Sequence, residues 1–128
     1  MNKKIFMESK NWTHWFEIAV NDFDRARKFY ETIFEIKIEV NDFGNFKMGI
    51  FPHKETGGAI CFGQWYKAGE NGTLIYLDAS PDLALVQARI EKAGGKILQS
   101  KKQISPQHGY MCLFNDSEGN RLALHSMQ

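Results

Sequence analysis

The chain has 128 residues, with sixteen Lys and Arg against fifteen Asp and Glu, a formal charge of +1 and an apolar share of 43%. That length suits one compact domain that needs no disulfide or metal staple. The apolar share is too high and the charge too small for a disordered chain, and no basic excess is present to neutralise phosphates, which argues against a nucleic-acid partner.

The lead-in starts basic at Lys3-Lys4 but meets Glu8 and Lys10 before an apolar stretch of leader length. No uninterrupted apolar run approaches the roughly twenty residues a bilayer demands. A cytoplasmic protein with no membrane partner is expected. Trp15 to Val20 then alternates, with Phe16, Ile18 and Val20 on one face and Trp15, Glu17 and Ala19 on the other, as a strand does. Asn21 or Asp22 is placed to cap a helix whose apolar residues Phe23, Ala26, Phe29, Tyr30, Ile33 and Phe34 recur every three or four positions. Strands are expected at Ile36–Val40, Phe46–Phe51 and Gly58–Gln64.

The polar stretch Lys67–Gly72 breaks the pattern and reads as a connector. After it the order repeats. Thr73–Asp78 is a strand, Ser80 with Pro81 and Asp82 starts a helix with Pro in its first turn, and Gly94-Gly95 stops it. Lys96–Lys101, Tyr110–Asn115 and Arg121–Ser126 are three more strands, the last two joined by a tight turn at Asp116–Asn120. Two βαβββ modules, 11–66 and 73–127, thus make up a single domain over 1–128. Neither module can cover both its sheet edge and its sheet face alone. The expected fold is α+β, with the paired modules forming a curved eight-stranded mixed sheet and the helices outside. Cys61 and Cys112 lie in apolar strand-like runs and read as small buried hydrophobes, a catalytic thiol being the alternative that no neighbouring group supports.

Phe16-Glu17-Ile18-Ala19-Val20-Asn21-Asp22-Phe23-Asp24-Arg25-Ala26 with Phe29-Tyr30 resembles the strand-turn-helix opening of the vicinal oxygen chelate superfamily, which includes glyoxalase I, bleomycin-resistance proteins and extradiol dioxygenases. Asp116-Ser117-Glu118-Gly119-Asn120-Arg121 is similar to that superfamily's D-P-x-G-N turn before its last strand. The likeness runs from about Asn11 to Met127 and is greatest to a small bacterial branch related to lactoylglutathione lyase, in which Trp-Phe-Glu opens the first strand and Leu-His-Ser ends the last. It implies the same duplicated fold and a tendency to form homodimers. It does not name a substrate, which has to be argued from the site.

Metal-dependent members of the superfamily hold a divalent ion with four side chains on the concave face. Counting from Asp22 and from Gly119 puts the first and last of these positions at Trp15 and Ala123, and looser alignment puts the others at Phe62 and Leu74. None of the four offers a usable lone pair, so no metal and no cofactor is implied. Shifting the register by one to bring in His14 would turn Phe16 and Ile18 out of the core.

The next layer on the same face, two residues along each strand, is Glu17, Gln64, Tyr76 and His125. These four polar side chains, floored by Trp15, Phe62 and Leu74, are expected to form a small-molecule pocket. Glu17, an inward carboxylate among apolar neighbours, is the candidate general base, with His125 as its acid-base partner. For His125 the competing reading is a solvated or singly bonded side chain near the end of the chain. Gln64 and Tyr76 read as pocket lining, and Asp78 as a turn former. His53 and His108 fall in turn-like segments and read as surface residues, with gating of the pocket as the alternative for the second. Two functions stay open: metal-independent acid-base chemistry on a small oxygenated substrate by a lyase- or isomerase-like enzyme, and sequestration of a planar ligand without turnover, as bleomycin-resistance proteins do. An interaction module is a third.

Overall fold

A computed structural model describes residues 8–128; the basic lead-in read at Met1–Met7 lies outside the described residues. The first module is β1 (Trp15–Ala19), α1 (Phe23–Phe34), β2 (Glu39–Asp42), β3 (Lys47–Ile50) and β4 (Gly57–Phe62). The second is β5 (Tyr76–Asp78), α2 (Leu83–Ile90), β6 (Lys96–Ser105), β7 (Gly109–Asn115) and β8 (Arg121–Ser126). The fold is α+β with the duplicated order expected.

The eight strands lie in two four-stranded mixed sheets, ordered β1-β4-β3-β2 and β5-β8-β7-β6, rather than in one continuous sheet. In each, the first strand runs parallel to the last and the remaining pairs are antiparallel. The equivalent edges β1 and β5 are therefore left at the seam between the modules, joined through packing instead of a ladder.

One face of each sheet carries a helix. Asp22 caps α1, its side chain accepting the Arg25 N–H at 3.0 Å, and the stripe Phe23, Ala26, Phe29, Tyr30 and Ile33 is buried. The stripe meets Ile18, Val20 and Ile60 from the first sheet and Leu83, Ile90, Phe114 and Leu124 from the second module in one shared core. Burying each large side chain contributes about 1.5–3 kcal/mol, so the shared core is the main force joining the modules. Cys61 and Cys112 are both buried and free.

Several boundaries differ from expectation: β4 ends at Phe62, short of Gln64, β6 runs on past Lys101 to Ser105, and three more differences have a visible cause. The second helix is capped by Asp82, which accepts from Ala84, so Ser80 and Pro81 precede the helix instead of opening it. β2 begins at Glu39 because Ile38 turns into the core and gives its N–H to the Glu31 carboxylate at 2.9 Å. β5 has three residues, although Ile75 still accepts the Ala123 N–H at 3.0 Å.

A polar clamp closes one end of the seam. The β7–β8 turn lays Glu118 against the start of α1, where its carboxylate accepts the Asn21 and Asp22 N–H groups at 2.9 and 2.8 Å and the Arg25 Nε and Nη2 at 2.7 and 3.0 Å. A carboxylate at a helix N-terminus meets unpaired donors and the positive end of the helix dipole. Asp116, 3% exposed, accepts the Tyr30 hydroxyl at 2.6 Å and the N–H groups of Glu118 and Asn120. Gly119 makes this turn possible with a φ of 83°. Asn120 donates to the Ala19 carbonyl at 2.8 Å. Asn120 and Asn21 also accept the Gly69 and Ala68 N–H groups, pinning residues 67–72 as a strap across the seam.

Candidate functional site

Ile18 and Ile60 belong to the core beneath the helices, so alternation sends Trp15, Glu17 and Ala19 to the helix-free face of the first sheet. Parallel pairing sets Glu17 beside Ala59 and Ala19 beside Cys61 on that face. Tyr66, in the segment after β4, reaches back and donates its hydroxyl to Glu17 Oε1 at 2.6 Å. The bond to Glu17 pushes the Tyr66 phenol up, burial adding to the effect, so Tyr66 stays a protonated donor. Burial, and after it the Glu17 charge, pushes the Cys61 thiol up to about 12, which leaves it protonated and unreactive at neutral pH. Phe46 packs against the Tyr66 ring and Phe43 stacks on Phe46, an aromatic row that holds the phenol in place.

Glu17 opens into a cleft of about 500 Å³ along the seam, roofed by the strap and lined also by Lys67, Glu70, Ile75 and Arg121. Two carboxylates and two cations share it. A second cleft, of about 650 Å³, lies at the other end of the seam, between the start of β1 and the Leu74–Asp78 segment. Thr73 and Ile75 line both.

The predicted residues are divided between these places. Glu17 faces the first cleft; Leu74 and Tyr76 line the second. Trp15, 39% exposed, packs edge to face on His53, which lies at the rim of the second cleft. Phe62 and Gln64 do not join Glu17. Because Glu17 pairs with Ala59, the odd residues of β4 share its face. Phe62 therefore packs against the core, and Gln64 is exposed in the turn beyond the strand. The expected layer was displaced by one residue on that strand. His125 is across from Asp78 in the second sheet, its Nε2 at 2.6 Å from the His108 carbonyl, and it lines neither cleft. The structure therefore places Glu17 and His125 apart. His108 approaches Ser105 Oγ at 2.8 Å within the β6–β7 turn.

A divalent ion requires several converging donors. Of the positions aligned with the superfamily's metal ligands, Trp15, Phe62, Leu74 and Ala123 present an indole, a phenyl, an isobutyl and a methyl group, none of them a donor for a divalent ion. Among the described residues no three His, Cys, Asp or Glu side chains come together. The side chains present do not fit a catalytic metal.

Sequence reasoning missed Tyr66, Arg121 and the two strap anchors, Asn21 and Asn120. Tyr66 sits outside any strand, where no periodicity marks it. The Asn120 anchor was visible as part of a turn motif, but its bond to the strap depends on a contact between modules.

A sequence profile of the glyoxalase/bleomycin resistance protein/dioxygenase superfamily matches residues 12–124. No curated protein matches the chain. Among solved structures it is similar to a glyoxalase/bleomycin resistance protein from Albidiferax ferrireducens (TM-score 0.70, 16% identity, covering 89% of this chain and 97% of that one). It is also similar to a fosfomycin resistance protein, FosX, from Listeria monocytogenes (TM-score 0.64, 17% identity, 94% and 92% covered). An E144Q mutant of glyoxalase I from Zea mays matches with a TM-score of 0.66 and 19% identity over 88% of this chain, which spans 46% of that longer one. At these identities the likeness establishes the fold, and together with the profile it shows that the chain belongs to the glyoxalase/bleomycin resistance protein/dioxygenase superfamily.

Proposed function

We propose that the strap-covered cleft binds a small oxygenated molecule and that Glu17 moves a proton on it without a resident metal. The observation that carries this is the Glu17–Tyr66 pair: Tyr66 holds one oxygen of a carboxylate that lines the cleft, at 2.6 Å. Arg121 and Lys67 line the same space and are suited to the oxygen on which negative charge grows when a proton leaves the neighbouring carbon. Glu17 would take that proton and return it to the adjacent carbon, with the hydroxyl proton passing from one oxygen to the other, giving an isomerisation with no net gain or loss. His125, held at the His108 carbonyl, supports the second sheet in this reading and does not exchange protons with Glu17. The alternative is sequestration without turnover, favoured by the aromatic row Phe43, Phe46 and Tyr66, which leads up to Glu17 although it does not line the cleft itself. We further propose a cytoplasmic homodimer, in which the second copy covers Trp12 and Trp65, 86% and 85% exposed.

The test is binding and deuterium exchange in D2O with dihydroxyacetone, lactate and fosfomycin, the last named for the Listeria relative. Exchange of a carbon-bound proton by the wild type, lost in Glu17→Gln, supports the enzyme. Binding without exchange, weakened by Tyr66→Phe and Glu17→Gln, supports sequestration. Binding indifferent to both substitutions overturns the assignment of this cleft, and stoichiometric zinc, nickel or manganese in the purified protein overturns the metal-free chemistry. A single-copy mass by light scattering would refute the dimer.

A further inference from the structure

The second cleft contains none of the groups proposed for proton transfer. Its walls are Phe16, Phe34, Ile36 and Phe51, each packed on the core along one side and half-exposed along the other. Large apolar side chains left half-wet around a concavity of about 650 Å³ are the usual makings of a small-molecule site. The walls are also shaped for flat contact. A side chain at Gly58 would overlap the Phe16 ring, and one at Gly57 would meet a His53 ring carbon at 2.5 Å. The adjacent glycines thus let one ring lie flat against each face of β4 instead of filling the opening.

The charge around this cleft is one-sided. Its described lining residues include no Lys, Arg or Glu, and the one carboxylate is Asp78 at the rim. Asp78 Oδ1 accepts the Ser80 N–H at 2.9 Å. The Ser80 hydroxyl, then that N–H, holds its carboxyl below the usual range against the effect of burial, with His125 alongside adding to the lowering. The His53 Nδ1 is at 2.9 Å from the Phe51 carbonyl, which fixes the ring at the rim. Tyr76, 51% exposed, adds a further aromatic face.

We propose that this cleft binds a planar aromatic cation, its ring system between the Phe16, Phe34 and Phe51 walls and its charged nitrogen toward Asp78. Aromatic faces attract cations through their quadrupole, and a delocalised cation is cheaper to desolvate than an ammonium. An anion of the same size meets the Asp78 charge with no Lys or Arg in the lining to offset it.

The test is fluorescence titration of the full chain with three probes of similar size: proflavine as cation, N-phenyl-1-naphthylamine as neutral ligand and 1-anilinonaphthalene-8-sulfonate as anion. Proflavine should bind at least about tenfold more tightly than the sulfonate. Asp78→Asn, which keeps the acceptor for Ser80, should weaken proflavine by about tenfold and the neutral probe by less than about twofold. Leu74→Trp should obstruct both probes, and Thr56→Trp serves where near-ultraviolet circular dichroism shows that the first variant is misfolded. Glu17→Gln should leave proflavine binding unchanged, whether or not Glu17 proves to move protons. Absence of proflavine binding up to about 1 mM overturns the proposal. So does an equal or stronger sulfonate, indifference to Asp78→Asn, or dependence on Glu17.

Discussion

The two ends of the seam between the modules are built from opposite materials. At the clamped end, buried carboxylates are saturated with donors: Glu118 holds the first turn of α1, Asp116 holds Tyr30, and Asn120 ties β1 to the strap. At the open end, Phe16, Phe34 and Phe51 face Leu74 across free space. Buried polar groups tolerate no imperfect partner, so they fix the relative position of the modules. Apolar walls demand only contact, which a ligand supplies as well as a side chain does. Rigidity is thereby concentrated at one end, and the other end is left available for binding.

The contrast breaks most readily at Glu118. Glu118→Ala leaves two N–H groups and the Arg25 guanidinium without their acceptor and should cost about 2–4 kcal/mol, read as a lower urea midpoint. A loss below about 0.5 kcal/mol would mean that the shared core alone holds the modules. The same residue sets a pH dependence. Burial pushes the Glu118 carboxyl up, but the Arg25 bonds and the backbone donors outweigh it and hold the group below the ordinary value. A carboxyl lowered in the folded state contributes stability above its unfolded pKa and loses it as pH falls through the folded one. The stability gap between wild type and Glu118→Gln should therefore shrink from about pH 5 to about pH 3. Asp116 acts in reverse. Burial, partly offset by Tyr30 and Asn120, raises its carboxyl, so its contribution fades as pH rises through the raised value. Asp116→Asn should accordingly make the acid limb of wild-type stability steeper.

A smaller effect sharpens the open end. Gly58→Ala forces the Phe16 ring from β4 into the second cleft and should cost about 1–3 kcal/mol. Gly69→Ala, with nothing near the added methyl in the strap, should stay within about 0.5 kcal/mol of wild type by the same urea titration. Similar losses at both positions would mean that Phe16 moves freely and the cleft has no fixed wall.

Both ends were legible in the sequence to different depths. The α1 stripe was plain because helical spacing is local, and capping chemistry narrowed the cap to Asn21 or Asp22, of which Asp22 fills the place. The duplicated order was plain because it repeats. The face that Glu17 takes on β1 could be read because alternation in a five-residue strand is unambiguous once Phe16 and Ile18 are assigned to the core. Phe62 and Gln64 were misplaced because pairing register between β1 and β4 depends on where two distant strands meet, and the two glycines that open β4 carry no side chain to show a face. The division into two sheets and two clefts has the same origin. It is set by packing between modules, and no residue on either side announces the gap.

The strap provides the finest test, because it connects the clamped end to the cleft roof. Ala68 and Gly69 give their N–H groups to Asn21 and Asn120, anchors that lie in different modules. Removing Asn120 would disturb the clamp as well, so Asn21→Ala is the cleaner substitution. It deletes one exposed hydrogen bond, and global stability should fall by no more than about 1 kcal/mol. Its effect should instead be local: amide exchange at Ala68 accelerates by about threefold or more while exchange in α1 is unchanged. Acceleration across α1 would show that Asn21 supports the helix start rather than the roof. An unchanged Ala68 would show that the strap is held by packing alone, as the walls of the open end are.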